Sequence, residues 1–214
     1  MRRSCGPEIL DSLPFDHPDA IHSRRDLRLV NAFMGNRRWF ARTLPGLVRP
    51  GERVLELGSG TGEMGVALNA LGIPVDGLDL CPRPRDWPAG SQWHQADLKG
   101  FQGYGAYAVV IGNLIFHQFT DGELAELGRA LRRSTRAVVA SEPTRRRLSQ
   151  SIMALVAPVL GANYVTLHDA RVSIGAGFQG TELPRALGMD GDAWDCTCLS
   201  TGLGASRMVA LRRP

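Results

Sequence analysis

Residues 54–62 read Val-Leu-Glu-Leu-Gly-Ser-Gly-Thr-Gly, and the stretch that follows, Glu63 to Leu71, has a helical pattern stopped by Gly72 and Pro74. The run Arg53 to Leu57 is a short apolar run ending in glycines, so it reads as a buried strand of a parallel sheet. Glycines directly after such a strand let the chain turn sharply and let backbone N–H groups approach a ligand without interference from Cβ. The helix that follows turns its positive end to the same point, which favours an anionic group. The stretch therefore predicts a strand–turn–helix unit with a ligand at the carboxyl end of the strand.

Outward from this unit, strand and helix alternate. Val75 to Leu80 is a second strand, Gln92 to Gln95 a weak third, and Ala106 to Gly112 a fourth. Asp121 to Arg133 is an amphipathic helix with Thr120 or Asp121 as its N-cap, and Arg136 to Ser141 is a fifth strand. This alternation predicts an α/β fold, a parallel sheet with helices on both faces. Trp194 to Leu199 and Arg207 to Leu211 add two strands, which the Gly202-Leu-Gly204 turn joins as an antiparallel hairpin. The expected sheet thus has seven strands, mostly parallel. The first 20 residues read as an irregular polar and proline-rich arm, and His22 to Leu47 as helix, broken at Gly35-Asn36. A helical stretch is also expected over Leu148 to Leu160, a short helix over Glu182 to Leu187, and a loop around residues 167–171. Residues 1–48 are thus an arm and helical cap, and 49–214 the α/β domain of one globular unit.

Composition fits a single core: 214 residues, 43% hydrophobic and 21% charged. The net charge of +4 comes almost wholly from scattered arginines, with Lys99 the single lysine. No aromatic residues interleave with them, so no nucleic-acid groove is expected. Cys5, Cys81, Cys196 and Cys198 have no disulfide spacing, and Cys196 and Cys198 share one face of a strand without a second pair, which argues for free thiols and no metal site. Met-Arg-Arg at the start is not followed by an apolar segment, and the run Ile152 to Leu160 is far short of the roughly 20 residues that span a bilayer. The expectation is a cytoplasmic protein without a membrane partner, monomeric or homodimeric.

The glycine turn fits two patterns. Gly60-x-Gly62-x-x-Gly65 satisfies the dinucleotide fingerprint, which alone is weak. The frame Glu56-x-Gly58-x-Gly60-x-Gly62 resembles the first motif of the class I S-adenosylmethionine-dependent methyltransferases. Further landmarks of that family follow in order over residues 50–142. Leu78-Asp79-Leu80 ends the second strand, Gln95-Ala96-Asp97-Leu98 follows the third, and Asn113-Leu-Ile-Phe-His117-Gln118-Phe119 follows the fourth. The last is similar to the Asn-Leu-x-x-His-His-Phe stretch of small-molecule methyltransferases, with Gln118 in place of the second histidine.

The resemblance implies a Rossmann-like fold whose N-terminal helices cover the cofactor cleft. It implies S-adenosylmethionine as cofactor, S-adenosylhomocysteine as product, no metal, and a small-molecule acceptor, with O-methylation of a phenolic or polyketide-like hydroxyl favoured. Glu56, Gly58, Ser59, Gly60, Gly62, Asp79, Leu80, Asp97, Leu98 and Asn113 are the expected cofactor contacts. Asp79 is suited to accept from the ribose hydroxyls, and Asp97 from the adenine amino group, because an ionised carboxylate only accepts.

For an acceptor hydroxyl, His117 is the first candidate base and His168 the second, since an unperturbed histidine titrates near neutrality. Phe33, Met34, Gln118, Glu142, Asp169 and Arg171 are the candidate acceptor contacts, with Trp39 and Phe40 possible additions to the apolar wall. Three other readings compete: a nucleic-acid methyltransferase, a non-catalytic cofactor-binding subunit, and a nicotinamide oxidoreductase. Asn113-Leu-Ile-Phe lacks the Asn/Asp-Pro-Pro-aromatic motif of base-modifying enzymes, which argues against the first.

Overall fold

The apolar runs do become adjacent parallel strands. A computed structural model of the protein describes residues 2–14, 16–147, 149–150 and 161–214. The helical expectation for 148–160 falls mainly on residues outside that set. The strands are β1 (Val54–Leu57), β2 (Val75–Asp79), β3 (Trp93–Gln95), β4 (Val109–Asn113), β5 (Ala137–Pro143), β6 (Trp194–Ser200) and β7 (Ala205–Arg212). They form one sheet in the order β3-β2-β1-β4-β5-β7-β6, with β7 antiparallel to both of its neighbours. The register pairs Leu57 with Leu78 on one side and with Gly112 on the other, so β1, β2 and β4 end side by side.

Alternation along the strands sorts side chains to two faces. Leu55, Leu57, Val110, Val138 and Ala140 join a cluster with Leu124, Leu127 and Leu131 of α5 (Asp121–Ser134) and Leu183 of α7 (Glu182–Ala186). Val54, Val75, Val109, Ile111, Ala137 and Val139 join the opposite cluster with Phe40 of α3 (Asn36–Thr43) and Met64 and Leu68 of α4 (Glu63–Ala70). Complete burial of each such side chain is worth about 1.5–3 kcal/mol relative to exposure, so the two clusters together hold the sheet between its helical layers. Thr120 caps α5 in a reciprocal box with Glu123, whose carboxylate accepts from the Thr120 N–H at 2.9 Å.

Two expectations change. The arm is not wholly irregular: it contains α1 (Ile9–Ser12), and α2 (Pro18–Met34) starts earlier than its apolar pattern suggests, with Pro18 in the first turn and His17 accepting from the Asp19 N–H. Residues 167–171 are not a loop. They lie within α6 (Tyr164–Ala176), which is capped by Asn163 accepting from the Thr166 N–H at 3.0 Å. Helices α1 and α2 both pack against α6, above the carboxyl ends of the strands.

The break at Gly35-Asn36 is where expected. Gly35 takes a left-handed conformation (φ 66°) as the C-cap of α2. Asn36 then turns inward and is fully buried. Its amide donates to Asn31 Oδ1 and Asn113 Oδ1, both at 2.9 Å, and its carbonyl accepts from the Ser141 hydroxyl at 2.8 Å. This network pins the helical cap to the ends of β4 and β5. Asn36→Ala would leave the Asn113 and Ser141 groups without these partners, and a lost buried partner costs roughly 1–3 kcal/mol per group. A fall of about 2 kcal/mol or more in urea-unfolding stability is expected, and an unchanged midpoint would remove the network from the account.

Candidate active site

The strand order sets out the predicted acids in a row along the carboxyl edge. Asp97 follows β3, Asp79 ends β2, the glycine turn follows β1, Asn113 ends β4, and Glu142 lies in β5. Adjacent strands are only about 4.8 Å apart, so neighbouring members of this row are within reach of one small ligand.

The turn itself is left-handed at all three glycines, with φ of 62° at Gly58, 53° at Gly60 and 80° at Gly62. A Cβ at Gly58 would lie 2.5 Å from Ile115, and one at Gly62 would lie 2.9 Å from Trp87, whereas one at Gly60 would meet nothing within 4 Å. The first and third glycines therefore satisfy internal packing, and the middle one faces open space. Asp79 joins the turn directly: its carboxylate accepts from the Gly60 N–H at 2.7 Å and the Cys81 N–H at 2.8 Å. Ser59 is buried and its hydroxyl is committed to the fold, donating to the Glu56 carbonyl and accepting from the Leu78 N–H.

Glu56 lies behind the turn, 2% exposed, and its Oε2 has no hydrogen-bond partner. Burial, reinforced by the nearby charge of Asp79, pushes its pKa up to about 8. Beyond Asp79, Leu80 is 68% exposed at the same edge. Asp97 is exposed and accepts from the Lys99 N–H at 2.9 Å, while Leu98 is buried in the core beneath it. Asn113 is committed to the helical cap on both sides of its amide.

Glu142, expected to face the acceptor pocket, is fully buried. Its carboxylate accepts from three successive backbone N–H groups, those of Ile115 and Phe116 at 2.9 Å and His117 at 3.2 Å, and bonds the His117 ring at 2.7 Å. It thereby holds the tight turn after β4, in which Leu114 adopts the left-handed φ of 59° that is uncommon for a residue with a Cβ. His117 is 4% exposed, with Nδ1 on Glu142 and Nε2 3.4 Å from Glu8 of the N-terminal arm. Burial alone would lower its pKa, but the hydrogen bond and charge of Glu142, joined by those of Glu8, override burial and push it up to about 9. In this arrangement His117 is an imidazolium with both nitrogens directed at carboxylates, so it has no lone pair for an acceptor proton at neutral pH.

The other acceptor candidates do not converge on one point. Asp169, buried on α6, accepts from the N–H groups of Ile9 (2.7 Å) and Leu10 (3.0 Å) and so seats α1. His168 is half-exposed and bonds Asp169 at 3.0 Å, and Arg171 is exposed. Gln118 hydrogen-bonds Glu8. Met34 is buried and Phe40 is wholly core, while Phe33 is 64% exposed. Trp39 packs beside Phe40 beneath the Arg207 guanidinium, within the fold. A groove of about 310 Å³ exists at the opposite, amino edge of the sheet, where Arg53 is bonded to Asp76 at 2.6 and 2.8 Å. Among the described residues, no group of three or more His, Cys, Asp or Glu side chains is placed to hold a metal ion, and no helix is long and apolar enough to cross a membrane.

No protein-family model matches the chain, and no curated protein matches it. Solved structures do. The plantazolicin methyltransferase BpumL in complex with SAH is 11% identical, with 94% of this chain and 92% of that chain covered at a TM-score of 0.68. The magnesium protoporphyrin IX methyltransferase ChlM from Synechocystis PCC 6803 with bound SAH is 18% identical, with 86% and 83% covered at 0.52. The pyocyanin biosynthetic protein PhzM is 19% identical, with 97% and 62% covered at 0.60. The fold is that of the class I methyltransferases.

Within that methyltransferase fold, sequence reasoning missed the arm. Glu8 and Asp11 belong to no periodic pattern, and nothing in the sequence places them over the site. Burial, then the charges of Glu8, Asp169 and Asp79, push Asp11 up to about 6, so the arm brings further carboxyl groups to the carboxyl edge. Asn31 and Asn36 left a trace as polar residues inside an apolar helical pattern.

Both Glu56 and His117 have pKa values raised above their ordinary 4.5 and 6.5, so the folded chain holds protons that the unfolded chain releases. The stability this confers is complete below those ordinary values and is lost as pH rises through about 8 for Glu56 and about 9 for His117. The melting temperature is therefore expected to fall between pH 6.5 and 9, with a shallower fall in His117→Gln. A wild-type melting temperature that is flat or rising over this window would contradict the raised pKa values of Glu56 and His117.

Proposed function

We propose that this chain is an S-adenosylmethionine-dependent methyltransferase that acts on a small hydroxylated molecule, phenolic or polyketide-like, by O-methylation. The observation that carries this reading is the contact between Asp79 and the open middle glycine of the turn, with Asp97 one strand further along the same edge. Supporting it are the ordered motifs over residues 50–142 and fold neighbours crystallised with SAH.

The residues present fit the cofactor. The orphaned Oε2 of Glu56 sits behind the turn, where a positive charge would favour its ionised form, and the bare backbone at Gly60 accepts close approach. Gly58, Gly60 and Gly62 would carry the amino-acid part, Asp79 the ribose hydroxyls, and Leu80, Asp97 and Leu98 the base. When bound, the cofactor supplies an electrophilic methyl group on a sulfonium, so the protein has mainly to align an acceptor and exclude water. The helical cap and arm provide that exclusion here. His117, oriented by Glu142, is the first candidate to take the acceptor's proton once its own proton has gone. His168, bonded to Asp169 on α6, is the second candidate.

Calorimetry with S-adenosylmethionine and S-adenosylhomocysteine tests the reading. Wild type should bind both, and Asp79→Ala should bind about tenfold or more weakly, since hydrogen bonds to a charged group are worth about 1.5–3 kcal/mol. Labelled methyl should then appear in product from a panel of phenols. Affinity without product from any acceptor would favour a non-catalytic binding subunit. Thermal stabilisation by NAD instead would favour an oxidoreductase.

A further inference from the structure

The N-terminal arm is fastened over the carboxyl edge almost entirely by polar contacts. Arg3 donates to the carbonyls of Ala176 (2.9 Å) and Phe119 (2.6 Å), pairs with Asp121 at 2.6 Å, and lies over the Phe178 ring. The Ser4 N–H donates to the Gly175 carbonyl at 3.3 Å, and Cys5 Sγ lies 3.4 Å from the Phe119 carbonyl. The Ile9 and Leu10 N–H groups close on Asp169. Between these fastenings the chain delivers one carboxylate inward. Glu8, its side chain 11% exposed, faces His117 Nε2 and is steadied by Ser173 and Gln118. No residue of α1 is buried, so an apolar core does not place this carboxylate; the polar fastenings and the histidine do.

The geometry points to Glu8 as a positioning residue of the site: it and Glu142 bracket the His117 ring from opposite nitrogens, fixing its orientation and setting the pH at which it gives up its proton. The inference rests on the proposed role of His117 but concerns a property of the protein alone. The groups facing this ring are Glu142 from β5, Glu8 from the arm and, by charge, Asp11 from α1. Arg3 and Cys5 reach only the His117 carbonyl. Glu142 is committed to three N–H groups of the turn and stays whatever the arm does, whereas Glu8 leaves with the arm. Its presence adds to the pull of Glu142 on the ring proton, and its departure exposes Nε2; once the ring has given up that proton, Nδ1–H bonded to Glu142 leaves the tautomer a general base needs.

Titration of the histidine ring nitrogens by NMR, on the full chain without cofactor, tests this. In Glu8→Gln, which keeps the shape and removes the charge, His117 should release its proton at a pH lower by about one unit, a tenfold loss in proton affinity. Glu8→Asp should recover part of the shift. Gln keeps the shape of Glu8 in the docked arm, held by the Ile9 and Leu10 N–H groups on Asp169, so the loss of the carboxylate is read without relief of the burial that itself lowers the ring's pKa. Equal His117 titration in wild type and Glu8→Gln would overturn the inference. Calorimetry with S-adenosylhomocysteine on the same samples reads the methyltransferase assignment separately. Absence of heat there would sink that assignment while leaving the His117 titration to decide the role of Glu8.

Discussion

The buried carboxylate of Glu142 organises the functional edge of this protein. A charge with no exposure is tolerated only when its hydrogen-bonding capacity is met, and here three consecutive backbone N–H groups and one imidazole meet it. In return it fixes the turn after β4, including the left-handed Leu114, and with it the Ile115 side chain that closes over Gly58. One acid on β5 thus sets the shape of two neighbouring loops. Its interaction with His117 then fixes the orientation of the one buried imidazole at the carboxyl edge.

Charge balance runs through the rest of the site. Glu56, Asp79, Glu142, Glu8, Asp11 and Asp169 all gather at one edge of a chain whose net charge is +4. Their consequences differ with environment. Glu142 and Glu8 are compensated by His117, Asp169 by backbone N–H groups, and Glu56 and Asp11 by retaining protons to higher pH than usual. Beside the glycine turn stand Asp79 and the proton-holding Glu56, and a cationic group there would favour the ionised form of both.

β1, β4 and β5 are legible because buried parallel strands are largely apolar, whereas β3, Trp-His-Gln, is short and polar and leaves only a weak signal. The β-hairpin and the break at Gly35 were legible from turn chemistry. Asp79 at the end of β2 is legible through the resemblance to the class I methyltransferases, and its place beside the turn comes from the strand order of the structure. By contrast, α6 was hidden because Thr166, His168 and Asp169 weaken any helical pattern, and its N-cap, Asn163, is indistinguishable from a loop residue without tertiary context. The committed state of Asn113, Asp169 and Glu142 was equally invisible, since a sequence shows which groups stand at a strand end but not which other segments consume their hydrogen bonds. Glu8 reaches His117 across more than 100 residues of chain, and no local signal encodes such a contact.

The central claim is that the turn at residues 58–62 and the carboxylates at 79 and 97 form one adenosyl-binding edge. A crystal structure of the protein soaked with S-adenosylhomocysteine tests it most directly. The account predicts ribose hydroxyls within hydrogen-bond distance of Asp79, the base beside Asp97 and Leu98, and the amino-acid portion over Gly60. Ligand density at another place, such as the amino-edge groove around Arg53 and Asp76, would contradict it.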